Sequence, residues 1–166
     1  THSYTNREDD QWLFLPARSR VKRVASSARS GSFVGSEFAY EDMVNQEVDK
    51  FKYKWIADKS CPGSKIVCHF IDRFPKFSTG YTRQRVWSDK KELRIRQIYY
   101  YDRRKAHLKT LRSTRYRQYK KKFWKAGKMV MSNKLTGKST ILTWRKFRFG
   151  VGLSSNGFGV SALRNL

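Results

Sequence analysis

The sequence predicts a mainly β fold: a strongly curved antiparallel sheet of about eight strands, left unclosed as a half-barrel, with one or two short helices. Three observations lead there. In Phe51-Lys52-Tyr53-Lys54-Trp55 every second residue is aromatic, and Leu93-Arg94-Ile95-Arg96-Gln97-Ile98 alternates aliphatic with basic for most of its length. That is the period of a half-buried strand. The joints between such runs carry turn-forming residues or charge clusters of hairpin length, and helix signals are scarce.

Taken in order, the strand runs are Gln11 to Leu15, Val21 to Val24, Phe51 to Trp55, Lys65 to Phe74, Tyr81 to Trp87, Leu93 to Ile98, Tyr99 to Tyr101, Thr110 to Tyr119, Phe123 to Met131 and Ser139 to Phe149. Reversals are expected at Ser60-Cys61-Pro62-Gly63-Ser64, Ser88-Asp89-Lys90-Lys91, Asp102-Arg103-Arg104-Lys105 and Leu135-Thr136-Gly137-Lys138. Ala126-Gly127-Lys128 reads either as a turn or as a bulge within one long strand. Only Ser36 to Asn45, with Ser36 as a cap, and the tail from Asn156 to Leu166 have the makings of a short helix. With so little helix, the apolar face must be covered by another sheet or by curling of the sheet itself.

The 166 residues fit one domain. No stretch approaches a membrane span, and the start has no charged, apolar and cleavage regions of a signal peptide. Thr1 to Asn6 reads like the end of a strand, so the chain is expected to begin inside a domain, with an upstream piece that carries a signal peptide outside it. Thr1 to Tyr4 would then form the open sheet edge.

Charge is very unevenly placed. Of the net +24, residues 103 to 166 supply +18, with 18 Lys and Arg and no acidic side chain after Asp102. Such asymmetry points to a polyanionic partner: a nucleic acid, an anionic membrane or an acidic protein. Arg112, Arg115, Arg117, Lys120, Lys121 and Lys122 form the densest cluster, and the alternative to a contact is a solvated, solubilising face.

The search for catalytic patterns argues against an enzyme. There is no Gly-x-Ser-x-Gly elbow, and the acid-free part offers no carboxylate pair. Thr136-Gly137-Lys138-Ser139-Thr140 imitates the end of a phosphate-binding loop, but Ser132 stands where its first Gly belongs and the segment lies in a hairpin. Gly157 to Ala162 imitates a dinucleotide fingerprint with only four residues following, too few for a βαβ unit. No cofactor is expected.

Several runs together resemble the bacterial outer-membrane lipoprotein-sorting protein family, the relatives of LolA and LolB. They are Asp10 to Val24, Gly31 to Asp42, Tyr101-Asp102-Arg103-Arg104 with Leu108 to Leu111, Asn133 to Trp144, Phe149 to Leu153 and Phe158 to Arg164. The resemblance spans essentially the whole chain. It implies a periplasmic carrier or chaperone with an unclosed barrel, short covering helices and a hydrophobic cavity for acyl chains of lipoproteins or other lipids, serving transfer towards the outer membrane. Lys105 departs from the glycine usual there, and the basic run after Asp102 is heavier than the family pattern.

An oxidising compartment suits a bridge between Cys61 and Cys68, which would close a short hairpin loop. Two free thiols are the alternative. A metal site is the weaker reading, because Cys61, Cys68 and His69 offer three ligands and neighbours on a strand point to opposite faces. His2, His69 and His107 read as ordinary polar residues. Alternate strand positions nominate Trp12, Phe14, Phe51, Tyr53, Trp55, Phe70, Ile95 and Tyr99 for the hydrophobic cavity. The partners expected are acyl chains of a lipoprotein or lipid, an anionic membrane surface and an inner-membrane exporter. The competing function is a basic nucleic-acid-binding β-barrel, which would expose the aromatics among the basic residues instead of burying them with Leu, Ile and Val.

Overall fold

The computed structural model describes residues 1–4, 7–152 and 154–165. Seven strands pair in sequence order as one antiparallel sheet: β3 (Phe51–Ser60), β4 (Val67–Pro75), β5 (Arg83–Asp89), β6 (Ile95–Tyr101), β7 (His107–Tyr119), β8 (Phe123–Asn133) and β9 (Ser139–Thr143). A separate ribbon pairs β1 (Gln11–Leu15) with β2 (Arg20–Val24). The fold is therefore mainly β and unclosed, as expected. It differs in being a seven-stranded sheet plus a ribbon and in not being strongly curled.

The reason for the weak curl is the segment between ribbon and sheet. Side chains alternate across a strand, so the registers place Ile71, Val86, Ile98, Leu111 and Met131 in one continuous row across five strands. Residues 25–50 cross this row, and Phe33, Phe38 and Met43 pack on it together with Tyr81 and Tyr100. A sheet whose apolar face is covered by its own chain has no need to close on itself. The opposite, outer face carries a smaller cluster of Cys61, Cys68, Phe70 and Trp87, flanked by Tyr99.

Among the described residues there is no α-helix. The covering segment, where Ser36 to Asn45 predicts a helix, instead makes single 3-10 turns at Phe33–Gly35 and Tyr40–Met43. Its backbone bonds outward rather than along a helix: the Glu37 N–H donates to Thr140 Oγ1 at 3.0 Å, and the Phe33 N–H donates to the Phe38 carbonyl at 2.7 Å. The tail forms 3-10 turns at Ser155–Phe158 and Val160–Asn165, where Gly157 and Gly159 disfavour a longer helix. Leu166, at the end of the predicted helix, lies outside the described residues, as do Thr5 and Asn6.

Other boundaries shift for local reasons. The predicted edge at Thr1 to Tyr4 lies outside the sheet, because His2 bridges only to Asp10 and the sheet edges are β3 and β9. The runs at Leu93–Ile98 and Tyr99–Tyr101 are one strand, β6, preceded by Leu93 at φ 54° in the turn. Ala126-Gly127-Lys128 lies inside β8, where a Cβ on Gly127 would come 2.9 Å from the Arg115 carbonyl oxygen. The reversal falls at Lys120–Lys122 instead. β9 ends at Thr143, and residues 144–149 leave the sheet.

One ion pair fastens the cover to the middle of the sheet. Asp42, on the cover, and Lys109, on β7, meet at 2.6 Å with side chains 2% and 5% exposed. Around them, the Ala39 N–H and the Tyr81 hydroxyl donate to the Asp42 carboxylate at 2.7 and 2.8 Å, and Lys109 Nζ also donates to the Glu37 carbonyl at 3.2 Å. Removing one partner leaves a buried charge unanswered. Lys109→Met is therefore expected to cost about 3–5 kcal/mol in urea unfolding, and the double variant Asp42→Asn/Lys109→Met to recover a large part of that loss. The structure also joins Cys61 to Cys68 in a disulfide across the β3–β4 turn. Its replacement by two serines should lower stability by about 2–3 kcal/mol in the same assay.

Candidate functional site

The covered face is not covered to its edge. Tyr53 lies opposite Arg73 and Trp55 opposite Ile71, which puts Phe51, Tyr53 and Trp55 in one row beside the core. Among the described residues no strand lies beyond β3 and no cover lies above it, and Tyr53 is 45% and Trp55 63% exposed. The register shifts at Ile56, which bends the strand just past this strip. At the strip's lower end a cavity of about 90 Å³ opens between the cover and β3, its apolar wall formed by Val44, Phe51, Pro75, Phe77 and Tyr81. Pockets that enclose whole ligands run to roughly 300–1,000 Å³, so this one is a foothold at the end of an open apolar strip.

The eight nominated cavity residues do not share a surface. Phe51, Tyr53, Trp55 and Ile95 lie on the covered face, with Ile95 packed against the main core. Phe70 and Tyr99 point to the outer face, where Trp87 packs between them at ring distances of 4.7 and 4.6 Å. Trp12 and Phe14 belong to the ribbon, and Trp12 packs edge-on against His2 at 4.9 Å. Period two tells which residues of one strand share a face but not how strands register, so the split between β3 and β4 was not readable from the alternation.

The basic cluster divides in the same way. Arg112 lies mid-strand on the outer face, its Nε donating to Gln97 Oε1 at 3.0 Å, beside a polar recess with Thr110, Ser132 and Lys134. Arg117 and the three lysines stand at the tip of the β7–β8 hairpin, eight residues on from Arg112 in the case of Lys120, a distance of about 26 Å along a strand. Lys120 and Lys121 hold φ of 48° and 53°, the left-handed geometry that tight hairpin turns require and that Asn or Gly usually supplies. Arg117 also faces Lys125 directly across the hairpin, a like-charge pairing that destabilises an isolated sheet. The tip is thus less stable than a neutral Asn-Gly hairpin would be.

Against this tip folds a set of aromatics that the sequence reading missed. Phe123 and Phe149 stack at 4.9 Å and an angle of 1°, and Tyr119 packs on Phe147 and Phe149 at 5.6 and 5.3 Å. The signal was present as Phe147-Arg148-Phe149, but it was absorbed into a strand prediction. Exposed Arg145, Lys146 and Arg148 add to the basic rim. Among the described residues no cluster of three or more His, Cys, Asp or Glu could hold a metal. No helix there is long and apolar enough to cross a membrane, which leaves strands unaddressed.

An open antiparallel sheet with one covered apolar face places the chain in the LolA class of folds: a LolA superfamily protein from Nitrosomonas europaea superposes with a TM-score of 0.69 at 17% identity, over 90% of this chain and 66% of that one. The particular family follows from closer relatives. A "putative outer membrane lipoprotein-sorting protein domain" from Vibrio parahaemolyticus matches with a TM-score of 0.94 at 43% identity, over 98% of this chain and 69% of that one. A DUF1329 family protein from Desulfovibrio piger matches with a TM-score of 0.89 at 32% identity, over 96% and 66%. The chain belongs to this outer membrane lipoprotein-sorting protein family and spans about two thirds of the length of these relatives. A family model described only as "-like: Uncharacterized protein" matches residues 1–165. No curated protein matches.

One titratable group lines the cavity in a form that a measurement can read. Burial raises the Glu41 carboxyl to about 7 from 4.5, although the Gly80 N–H, donating at 3.0 Å, favours its charged form. A carboxyl raised on folding stabilises the native state fully below the unfolded value, and the contribution is lost as pH rises through the folded one. Urea midpoints should therefore fall between pH 4.5 and about 7, and Glu41→Gln should flatten that fall. An unchanged slope in the variant would mean that Glu41 titrates as a solvated side chain.

Proposed function

We propose that this protein is a carrier or chaperone of the bacterial periplasm that holds acyl chains of lipoproteins or other lipids on its way to the outer membrane. Residues 1–166 act as one LolA-like domain in this reading. The observation that carries it is the strip Phe51, Tyr53 and Trp55, which continues the covered apolar face out into solvent and ends at the cavity under the cover. The lipoprotein-sorting name of the 43%-identical relative supports the same cargo class, and the disulfide fits an oxidising compartment.

The hairpin tip serves as the membrane contact. Its aromatics suit the depth of lipid headgroups, and each lysine near an anionic leaflet contributes about 1 kcal/mol. The like-charge pair of Arg117 and Lys125 across the hairpin is costly in isolation, and an anionic surface relieves it. Arg112, farther down β7, belongs to a different surface from Arg117 and Lys120–Lys122.

Two measurements test the reading. Affinity for saturated fatty acids should rise with chain length, by up to about fourfold per methylene because burial of each contributes about 0.8 kcal/mol, and Trp55→Ser should weaken it about tenfold while Trp12→Ser leaves it unchanged. Binding that ignores chain length would reduce the strip to exposed packing. Separately, Lys120→Gln/Lys121→Gln/Lys122→Gln should lower affinity for phosphatidylglycerol vesicles about a hundredfold and leave fatty-acid binding intact. Salt-resistant binding of a single-stranded oligonucleotide, with no preference for anionic over neutral vesicles, would favour a nucleic-acid module instead.

A further inference from the structure

Arg73, on β4, is a buried cation with no acid of its own. Its residue is 5% exposed, and among the ion pairs of the described residues none includes it. Its Nε donates to Gln84 Oε1 at 2.8 Å and its Nη2 to Gln46 Oε1 at 2.6 Å, while its guanidinium lies 4.5 Å from the centre of the Phe51 ring. Burial depresses its pKa from the ordinary guanidinium value. Two neutral amides accept two of its hydrogens without neutralising its charge, and the acid whose field reaches it, Asp42, is already paired with Lys109; a buried charge with no carboxylate in contact is costly.

The three groups that hold Arg73 are also groups that line the cavity under the cover: Gln46, Phe51 and Gln84. Gln46 is exposed and sits on the cover, so it is the partner most easily exchanged. The acids around that cavity are already engaged. Asp9 pairs with Lys50, Glu8 with Arg29, and the Glu41 carboxyl accepts from the Gly80 N–H. Among the described residues around that cavity, Arg73 is the positive group that no carboxylate contacts, and it lies beside the aromatic strip, opposite Tyr53.

We infer that Arg73 receives the negatively charged end of an acyl ligand, a carboxylate or a phosphate monoester, with the chain lying along Phe51, Tyr53 and Trp55. The anion takes the place of Gln46 on the guanidinium, whose planar fork matches either group. This deepens the carrier reading and rests on it: the ligand class becomes single-chain anionic amphiphiles, distinguished from neutral ones of equal length.

The test compares dodecanoate, dodecyl phosphate and dodecanol on the whole protein, at low and at physiological salt. Wild type should bind the anions at least tenfold more tightly than the alcohol, and the difference should persist in salt because the site is buried. Preference for dodecanoate over dodecyl phosphate, or the reverse, tells which anion the pocket takes, and either supports the assignment. Arg73→Met should abolish the preference while dodecanol binding is kept, and Arg73→Lys should retain part of it. Equal binding of all three ligands by wild type, or a preference that survives in Arg73→Met, would overturn the inference and leave the carrier reading standing. Failure of every ligand to bind would overturn both.

Discussion

The Asp42–Lys109 pair is the constraint on which the rest of this architecture depends. A seven-stranded open sheet with a wide apolar row needs a cover, and the chain supplies one with no α-helix and few apolar side chains. Phe33, Phe38 and Met43 bury themselves on the row, but three side chains from a non-helical segment are a small hydrophobic anchor. The ion pair fixes the segment at mid-sheet, and the surrounding Ala39, Tyr81 and Glu37 groups satisfy both charges at 2.6 to 3.2 Å. Because such a pair tolerates little displacement, it also fixes where the cover stops. Beyond it lie the cavity and the uncovered rings of β3.

This division of labour separates three regions by function. The centre of the covered face is closed core, held by the ion pair. The β3 margin leaves apolar rings exposed, with the buried Arg73 beside them opposite Tyr53. At the far end of the longest hairpin, lysines in left-handed geometry and stacked phenylalanines form a second, chemically different surface. A carrier requires separable cargo and docking surfaces, because binding the membrane must not itself occupy the cargo site.

Much of the sheet was legible in the sequence. Period-two runs located every strand of the main sheet, and the Pro62-Gly63 and Thr136-Gly137 joints marked real reversals. Most of the basic C-terminal part was legible as a surface, the exception being the buried Lys109, which pairs with Asp42 of the cover. What was not legible depended on pairing between distant segments. The register that puts Tyr53 and Phe70 on opposite faces is set by β3–β4 pairing with its shift at Ile56, not by either run alone. The cover was misread as helical because Ser36, Glu41 and Asp42 are helix-start residues, yet here Glu41 and Asp42 accept from Gly80, Tyr81 and Lys109, and Ser36 bonds to Phe33 and Phe38. The turn at Lys120–Lys122 showed only as the break between the Thr110–Tyr119 and Phe123–Met131 runs, because lysine is an unusual turn residue, and Arg73 looked like one more strand-face charge until its burial was known.

The central claim is that acyl chains lie on the β3 margin of the covered face. Photo-crosslinking with a diazirine-bearing fatty acid, followed by peptide mapping, tests it most directly. The account predicts adducts concentrated in residues 51–56 and 75–81, and competed away by unlabelled fatty acid. Adducts confined to the β7–β8 hairpin tip or to the outer-face cluster around Phe70 and Trp87, or labelling that unlabelled fatty acid does not reduce, would contradict it.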